Sequence, residues 1–77
     1  MTPQLRGRRL KMARRLANVS QQELAAAARY SRLYLILFES ERLVPSEAEM
    51  QNLEDTLQNL MVEMVEKVSE VLATAPA

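Results

Sequence analysis

Cysteine and histidine are both absent from the sequence. Disulfides, thiol nucleophiles, imidazole bases and the Cys/His ligand sets of zinc fingers are therefore excluded. Since the groups that remain for acid–base chemistry are chiefly carboxylates, we expect that the chain is not an enzyme and that it binds no metal and no cofactor.

Long apolar segments are absent as well. The longest uninterrupted apolar run covers residues 33–38, whereas a helix needs about 18 such residues to span a bilayer. The N-terminus also lacks the apolar core of a signal peptide. We therefore expect a soluble, cytoplasmic protein with no membrane partner.

The charges are segregated along the chain, although they balance overall. Residues 1–45 hold nine Lys/Arg and three Glu, a net charge of +6, whereas residues 46–77 hold one Lys and seven Asp/Glu, a net charge of −6. A basic half suits a polyanionic partner, and an acidic tail limits non-specific binding. Two solvated faces of an ordinary helical protein would give the same pattern.

Cap and turn residues predict four helices and no strand. Thr2 and Pro3 suit the start of the first helix, and Asn18 suits a left-handed residue at its end. Gly7 weakens this helix by about 1 kcal/mol relative to alanine. The expected apolar side of the helix comprises Leu5, Leu10, Ala13, Leu16 and Ala17.

Serine residues are expected to cap the other three helices. Ser20 and Glu23 have the spacing of a capping box, and Ser31 and Ser46 precede the next two segments. The predicted helices cover residues 21–28, 32–40 and 47–73.

Residues 33–38 alone would pass for a buried strand, because six apolar residues with aromatics show no helical period. The serine cap at Ser31 favours a helix instead. On that helix Leu35 and Phe38 face the core, and Tyr34 is partly buried. The outer face then consists of Leu33, Ile36 and Leu37.

An ordered set of residues spans the two short helices and the loop that follows them. Its members are Ser20, Gln21, Leu24, Ala25, Ser31, Leu35, Phe38, Glu39, Arg42, Pro45 and Ser46. The set resembles the pattern of the Cro/lambda-repressor-like helix-turn-helix family, over about residues 10–57. Arg29 and Glu41 stand where that family usually has glycine. The resemblance implies an all-α, lambda-repressor-like helix-turn-helix bundle that binds double-stranded DNA.

The resemblance also implies which residues contact DNA. The glutamine after the first cap holds a phosphate, and the residues after the second cap reach base edges. The implied interface is Gln21, Arg29, Ser31, Arg32, Leu33, Ile36, Leu37 and Arg42. Among the residues expected at base edges, Arg32 is the only one that can form strong hydrogen bonds with a base, and it suits guanine. The leucines and isoleucine can only contact thymine methyls. Further phosphate contacts are expected among Arg6, Arg8, Arg9, Lys11 and Arg15.

Arg14 and Glu39 are set apart from this interface. The resemblance implies that they form an ion pair tying the first helix to the third. A partly buried pair of this kind would be part of the scaffold; a contact with DNA is the alternative.

The apolar outer face of the third helix allows a second interpretation. Exposed Leu33, Ile36 and Leu37 would suit a contact with protein, and Glu41 would repel a phosphate backbone beside it. The alternative function is therefore a protein-interaction module, antitoxin-like or adaptor, that uses a repurposed helix-turn-helix.

The last helix is long for a 77-residue chain, whose core rarely contributes more than about 3–5 kcal/mol. Met50, Leu53 and Leu57 fit a helix that covers the core. We expect a head over residues 1–58 and a C-terminal helical extension over 59–77 with a frayed end. Its wide apolar stripe comprises Leu60, Met61, Met64, Val65, Val68, Val71 and Leu72. Such a stripe needs a partner, which predicts a coiled-coil homodimer; a fifth helix folded back on the head is the alternative.

These features together predict a transcription regulator of the repressor type. We expect it to act as a homodimer on a pseudo-palindromic operator, with the head reading the DNA and the tail dimerising.

Overall fold

Four α-helices make up the fold in the computed structural model, which describes residues 3–74, with side chains from residue 6 onward. They are α1 (Pro3–Leu16), α2 (Gln21–Ala28), α3 (Arg32–Glu39) and α4 (Glu47–Thr74). No strand occurs within residues 3–74, so the all-helical prediction is confirmed for this part. None of these helices is long and apolar enough to cross a membrane. The predicted cap at Thr2, the side chain of Leu5 and the predicted fraying of residues 75–77 lie outside the described residues.

Serine caps begin α2, α3 and α4. Ser20 Oγ accepts the backbone N–H of Glu23 at 3.0 Å, and the Glu23 carboxylate accepts the backbone N–H of Ser20 at 3.1 Å. Ser46 and Glu49 form the same reciprocal pair at 3.2 and 2.8 Å. Ser31 Oγ accepts a backbone N–H of α3 at 3.0 Å. These caps confirm the predicted helix starts, whereas α3 ends at Glu39 rather than at residue 40.

Each of the first three helices ends at a left-handed residue that is not glycine. The φ angles are 59° at Asn18, 66° at Arg29 and 64° at Glu41. At each turn the following residue donates its N–H to a carbonyl five residues earlier, as from Tyr30 to Ala25 at 2.9 Å. This is the Schellman arrangement. The chain therefore keeps turns that favour glycine, although a left-handed L-residue costs about 1–2 kcal/mol.

The core lies where α2 and α3 pack together and α4 covers α2. Its fully buried side chains are Leu24, Leu35, Phe38 and Leu53. Leu10, Val19, Ala25, Ala28, Met50 and Leu57 complete it. The core positions predicted on α3 and on the first part of α4 are confirmed, and Tyr34 is half-buried as predicted, stacked on Tyr30 with ring centroids 4.6 Å apart.

The predicted apolar side of α1 is wrong at two positions. Ala13 is exposed, and Leu16 is 86% exposed. Leu10 is buried as predicted. Gly7 and Arg14 are buried with it, and the three residues form one face because they lie three and four residues apart.

Gly7 allows α1 to approach α3 closely. A Cβ atom at this position would overlap the carbonyl oxygen of Phe38 and lie 3.3 Å from Phe38 Cε1. Gly7 is therefore not only the weak point in a helix that its low helix propensity predicts. Its missing side chain is required by the packing of the two helices.

Helix α4 continues without a break beyond the core. Its side chains are buried or half-buried at intervals as far as Leu60, whereas every residue from 61 to 74 is exposed. We refer to residues 61–74 as distal α4. The alternative of a fifth helix folded back on the head does not occur within residues 3–74.

Candidate nucleic-acid interface

A buried hydrogen-bond network joins the start of α2 and the end of α3 to α1. Arg14 donates from Nε to Glu39 Oε2 at 2.8 Å and from Nη2 to Glu39 Oε1 at 2.9 Å. Its Nη1 donates to the carbonyl of Val19 at 2.9 Å. Gln21 Nε2 also donates to Glu39 Oε1, at 3.1 Å. The expected Arg14–Glu39 pair is therefore present in the structure as part of the scaffold.

The same network orients Gln21, the residue expected to hold a phosphate. One N–H of its amide is directed to Glu39, which fixes the side chain at the start of α2. The second N–H of an amide remains available to a further acceptor. Gln21 can therefore link the scaffold to a bound anion.

A shallow cleft of about 480 Å³ lies next to this network, between α1 and the starts of α2 and α3. The residues that line it are Lys11, Arg14, Arg15, Ser20, Gln21, Gln22 and Arg32. None of these lining residues carries a carboxylate. Lys11, Arg15 and Arg32 are exposed, so three cations from two helices surround one opening.

The N-terminus of α2 adds donors to the cleft. The first N–H groups of a helix have no acceptor within it, and the helix dipole places partial positive charge there. The Glu23 N–H is taken by the Ser20 cap, which leaves the amides of Gln21 and Gln22 for an anion. Gln22 was not among the predicted residues; its position directly after Gln21 in the first turn of a capped helix is the signal that would have identified it.

Glu23 is the acidic residue of α2, and it does not line the cleft. The backbone and side-chain hydrogen bonds from Ser20 hold the pKa of Glu23 below its ordinary value of 4.5. The carboxylate therefore stays ionised at neutral pH and serves the cap.

The outer face of α3 begins beside the cleft. Arg32 occupies the first helical position, and Leu33 and Ile36 are 63% and 36% exposed. Leu37, which was expected on the same face, is half-buried. The side chains available to a partner are therefore one arginine and two aliphatic groups.

The remaining predicted contacts lie at the two ends of α3. Arg29 is exposed in the turn before the helix, and Arg42 is exposed after it. Ser31 Oγ is occupied as the cap of α3. The backbone N–H of Arg42 donates to Leu37 O at 2.8 Å, which holds this residue close to the helix end.

The basic residues of α1 do not all face the cleft. Arg6 pairs with Glu47 at 2.8 Å and with Glu54 at 3.2 Å on α4, and these carboxylates raise the pKa of Arg6. Arg8 Nε lies 3.7 Å from Glu41 Oε1. Of the five α1 residues expected to contact phosphates, Lys11 and Arg15 line the cleft, and Arg6, Arg8 and Arg9 do not.

The chain matches no protein-family model, no curated protein and no solved structure. The inference of function therefore depends on the residues and on the geometry of the cleft and of α3.

Proposed function

We propose that this protein binds double-stranded DNA sequence-specifically, with α2, the turn and α3 acting as a lambda-repressor-like helix-turn-helix. The observation that carries the proposal is the cleft in which Lys11, Arg15 and Arg32 surround the start of α2. A backbone phosphate bound there would be held by the cations, by Gln21 and by the free amides of α2. These contacts would position α3 without depending on sequence.

Reading of the bases would then fall to the exposed side of α3. At 1.5 Å per residue its eight residues measure about 12 Å, and an α-helix fits the major groove of B-DNA. Arg32 at its start suits guanine O6 and N7, whereas Leu33 and Ile36 suit thymine methyl groups. Arg29 and Arg42 would hold phosphates on either side of the helix.

We further propose that the protein is a homodimeric transcription regulator of the repressor type. The support is distal α4, whose apolar side chains are exposed. A second copy would cover them. The head over residues 1–58 would read one half-site of a pseudo-palindromic operator in each copy, and the extension over 59–77 would join the copies.

Selection of bound sequences from random duplex DNA, followed by a salt series, tests this function. We expect enriched sites with two half-sites about 34–36 Å apart, one helical turn. Affinity should fall steeply with salt, with a log–log slope of about −0.9 for each phosphate neutralised. Absence of binding at low salt would refute the proposal.

A protein-binding role is the second candidate, and the exposure of Leu33 favours it. A protein docked on Leu33 and Ile36 would bind chiefly through apolar surface, so its affinity would change little with salt. Ile36→Glu separates the two candidates when it is tested against duplex DNA and in a pull-down. If wild type fails to bind DNA while Ile36→Glu alone loses a protein partner, the outer face of α3 is a protein interface.

A further inference from the structure

A groove separates α1 from α4, and the residues of α1 that line it are not those that line the cleft. It has a volume of about 640 Å³. It exists because α1 packs mainly on α3 while α4 packs on α2, so α1 and α4 make little contact with each other. The residues of α1 that line it are Arg6, Arg9, Leu10 and Ala13, and those of α4 include Glu54, Leu57, Gln58 and Met61.

The groove opens toward distal α4. Arg6 pairs with Glu54 near one end, and Ala13 and Met61 line the other, so α1 and α4 advance in the same direction along it. Leu16 follows Ala13 by three residues and therefore extends the same face of α1. It is also the large apolar side chain with the greatest exposure among the described residues. An apolar surface thus continues from the groove onto distal α4.

The apolar stripe of distal α4 is wider than a two-stranded seam requires. Met61, Met64, Val68 and Val71 follow one another at intervals of three, four and three residues, as the a and d positions of a heptad do. Val65 and Leu72 lie beside that line and are also exposed. A single partner helix would leave these two uncovered, whereas contact with two helices would cover all six.

Charge decides how a second copy can lie on this surface. Distal α4 carries Glu63, Glu66 and Glu70 against Lys67, a net charge of −2. A parallel pair would place the two acidic segments side by side and bring the Arg9 edges of the heads together. An antiparallel pair places the acidic segment of each copy beside Arg9 of the other, which replaces two repulsions by an attraction.

We propose that distal α4 of a second copy, running antiparallel, occupies the groove between α1 and α4, and that the contact is reciprocal. Distal α4 is about 21 Å long at 1.5 Å per residue, which is enough to cover the α1 side of the groove from residue 6 to 16. In this arrangement Gln58, which lines the groove of one copy, lies against Val68 of the other. The inference rests on the proposed homodimer and specifies its geometry.

The cleft used for DNA remains open in this dimer. Lys11 and Arg15 line the cleft, whereas Arg9 and Ala13 line the groove, so α1 presents different faces to the two partners. Both surfaces can therefore be occupied at once.

Engineered cysteines test the arrangement directly, since the chain has none of its own. Gln58→Cys and Val68→Cys proteins, each oxidised alone and as a mixture, should form a disulfide only in the mixture. A disulfide of Val68→Cys with itself would indicate a parallel coiled coil and overturn the proposal. Val62 is exposed and lies beside the seam. Val62→Cys is therefore the control for random collision and should not cross-link with either variant. A cross-linking yield equal to that of the mixture would also overturn the proposal.

Sedimentation distinguishes failure of this geometry from failure of the dimer. A dimer without the mixed disulfide would refute the groove arrangement alone, whereas a monomer at all concentrations would refute the homodimer as well. Arg9→Glu should weaken the dimer several-fold, because it faces the acidic segment of the partner. Arg15→Glu reverses a charge on the other face of the same helix and should leave dimerisation unchanged; equal effects of the two would contradict the groove arrangement.

Discussion

Arg14 and Glu39 form a bidentate ion pair across α1 and α3, with N–O distances of 2.8 and 2.9 Å and side chains only 9% and 3% exposed. Buried charges are tolerated when their remaining hydrogen-bonding groups are also satisfied. Here the Val19 carbonyl and the Gln21 amide supply those partners. The pair therefore does more than join two helices, because it also orients the side chain that lines the proposed phosphate site.

Removal of one member of this pair should destabilise the fold strongly. Glu39→Ala leaves a guanidinium buried without its partner, which typically costs about 3–5 kcal/mol. Urea denaturation measures the loss. Glu41→Ala is the control, because its Arg8 partner is exposed and 3.7 Å away, and such pairs contribute about 0–1 kcal/mol. Equal unfolding free energies for the two variants would contradict a structural role for the pair.

Gly7→Ala should lower stability, against the usual helix preference for alanine. The added methyl group would overlap the Phe38 carbonyl, which belongs to the backbone and cannot rotate away. Overpacking of this kind costs about 1–3 kcal/mol, and the change in thermal midpoint measures it. Ala26→Gly, on the exposed side of α2, is the control for helix propensity. It should cost about 1 kcal/mol through propensity alone. A rise in the midpoint of Gly7→Ala would show that α1 and α3 are not in close contact.

The sequence could predict where helices start, but it could not predict how α1 packs. Ser20, Ser31 and Ser46 identified three helix starts because a cap acts within a single turn of chain. The environments of Gly7 and Leu16 depend on which helix lies against α1, and helical spacing alone does not contain that information.

The candidate site, too, could be predicted only in part from the sequence. The Arg14–Glu39 pair and the exposed start of α3 were expected from the resemblance, whereas the identity of the basic residues of α1 that face away from the cleft was not. Helix spacing places basic residues on every side of α1, and only the position of α4 determines which of them meet Glu47 and Glu54.

Stability should fall in acid through the cap at the start of α4. The backbone and side chain of Ser46 hold the pKa of Glu49 below its ordinary value of 4.5. A lowered folded-state pKa means that the contribution is fully present above about pH 4.5 and is lost as the pH falls through the folded-state value. Glu49→Gln should therefore be less stable than wild type at pH 7, with the difference shrinking in acid. A difference that stays constant across a pH series of urea denaturations would refute this role.

The left-handed turn at Arg29 allows stability and DNA binding to be separated. Arg29→Gly and Arg29→Ala remove the same charge, so both should make the log–log salt slope shallower by about 0.9. Only Arg29→Gly relieves the φ of 66°, which should raise the unfolding free energy by about 1 kcal/mol. Equal stability of the two variants would show that the turn is not strained.

Arg32 and Arg42 should differ in what they contribute to DNA recognition. Arg32 stands at the first position of α3 and is proposed to read a guanine, so Arg32→Ala should relax base preference at one position of each half-site, at a cost of about 1–3 kcal/mol. Arg42 lies beyond the helix and is proposed to hold a phosphate, so Arg42→Ala should weaken binding to all sequences alike. Titration of the selected site and of single-base variants of it measures both effects. A uniform loss in Arg32→Ala would show that α3 does not read bases through its first residue.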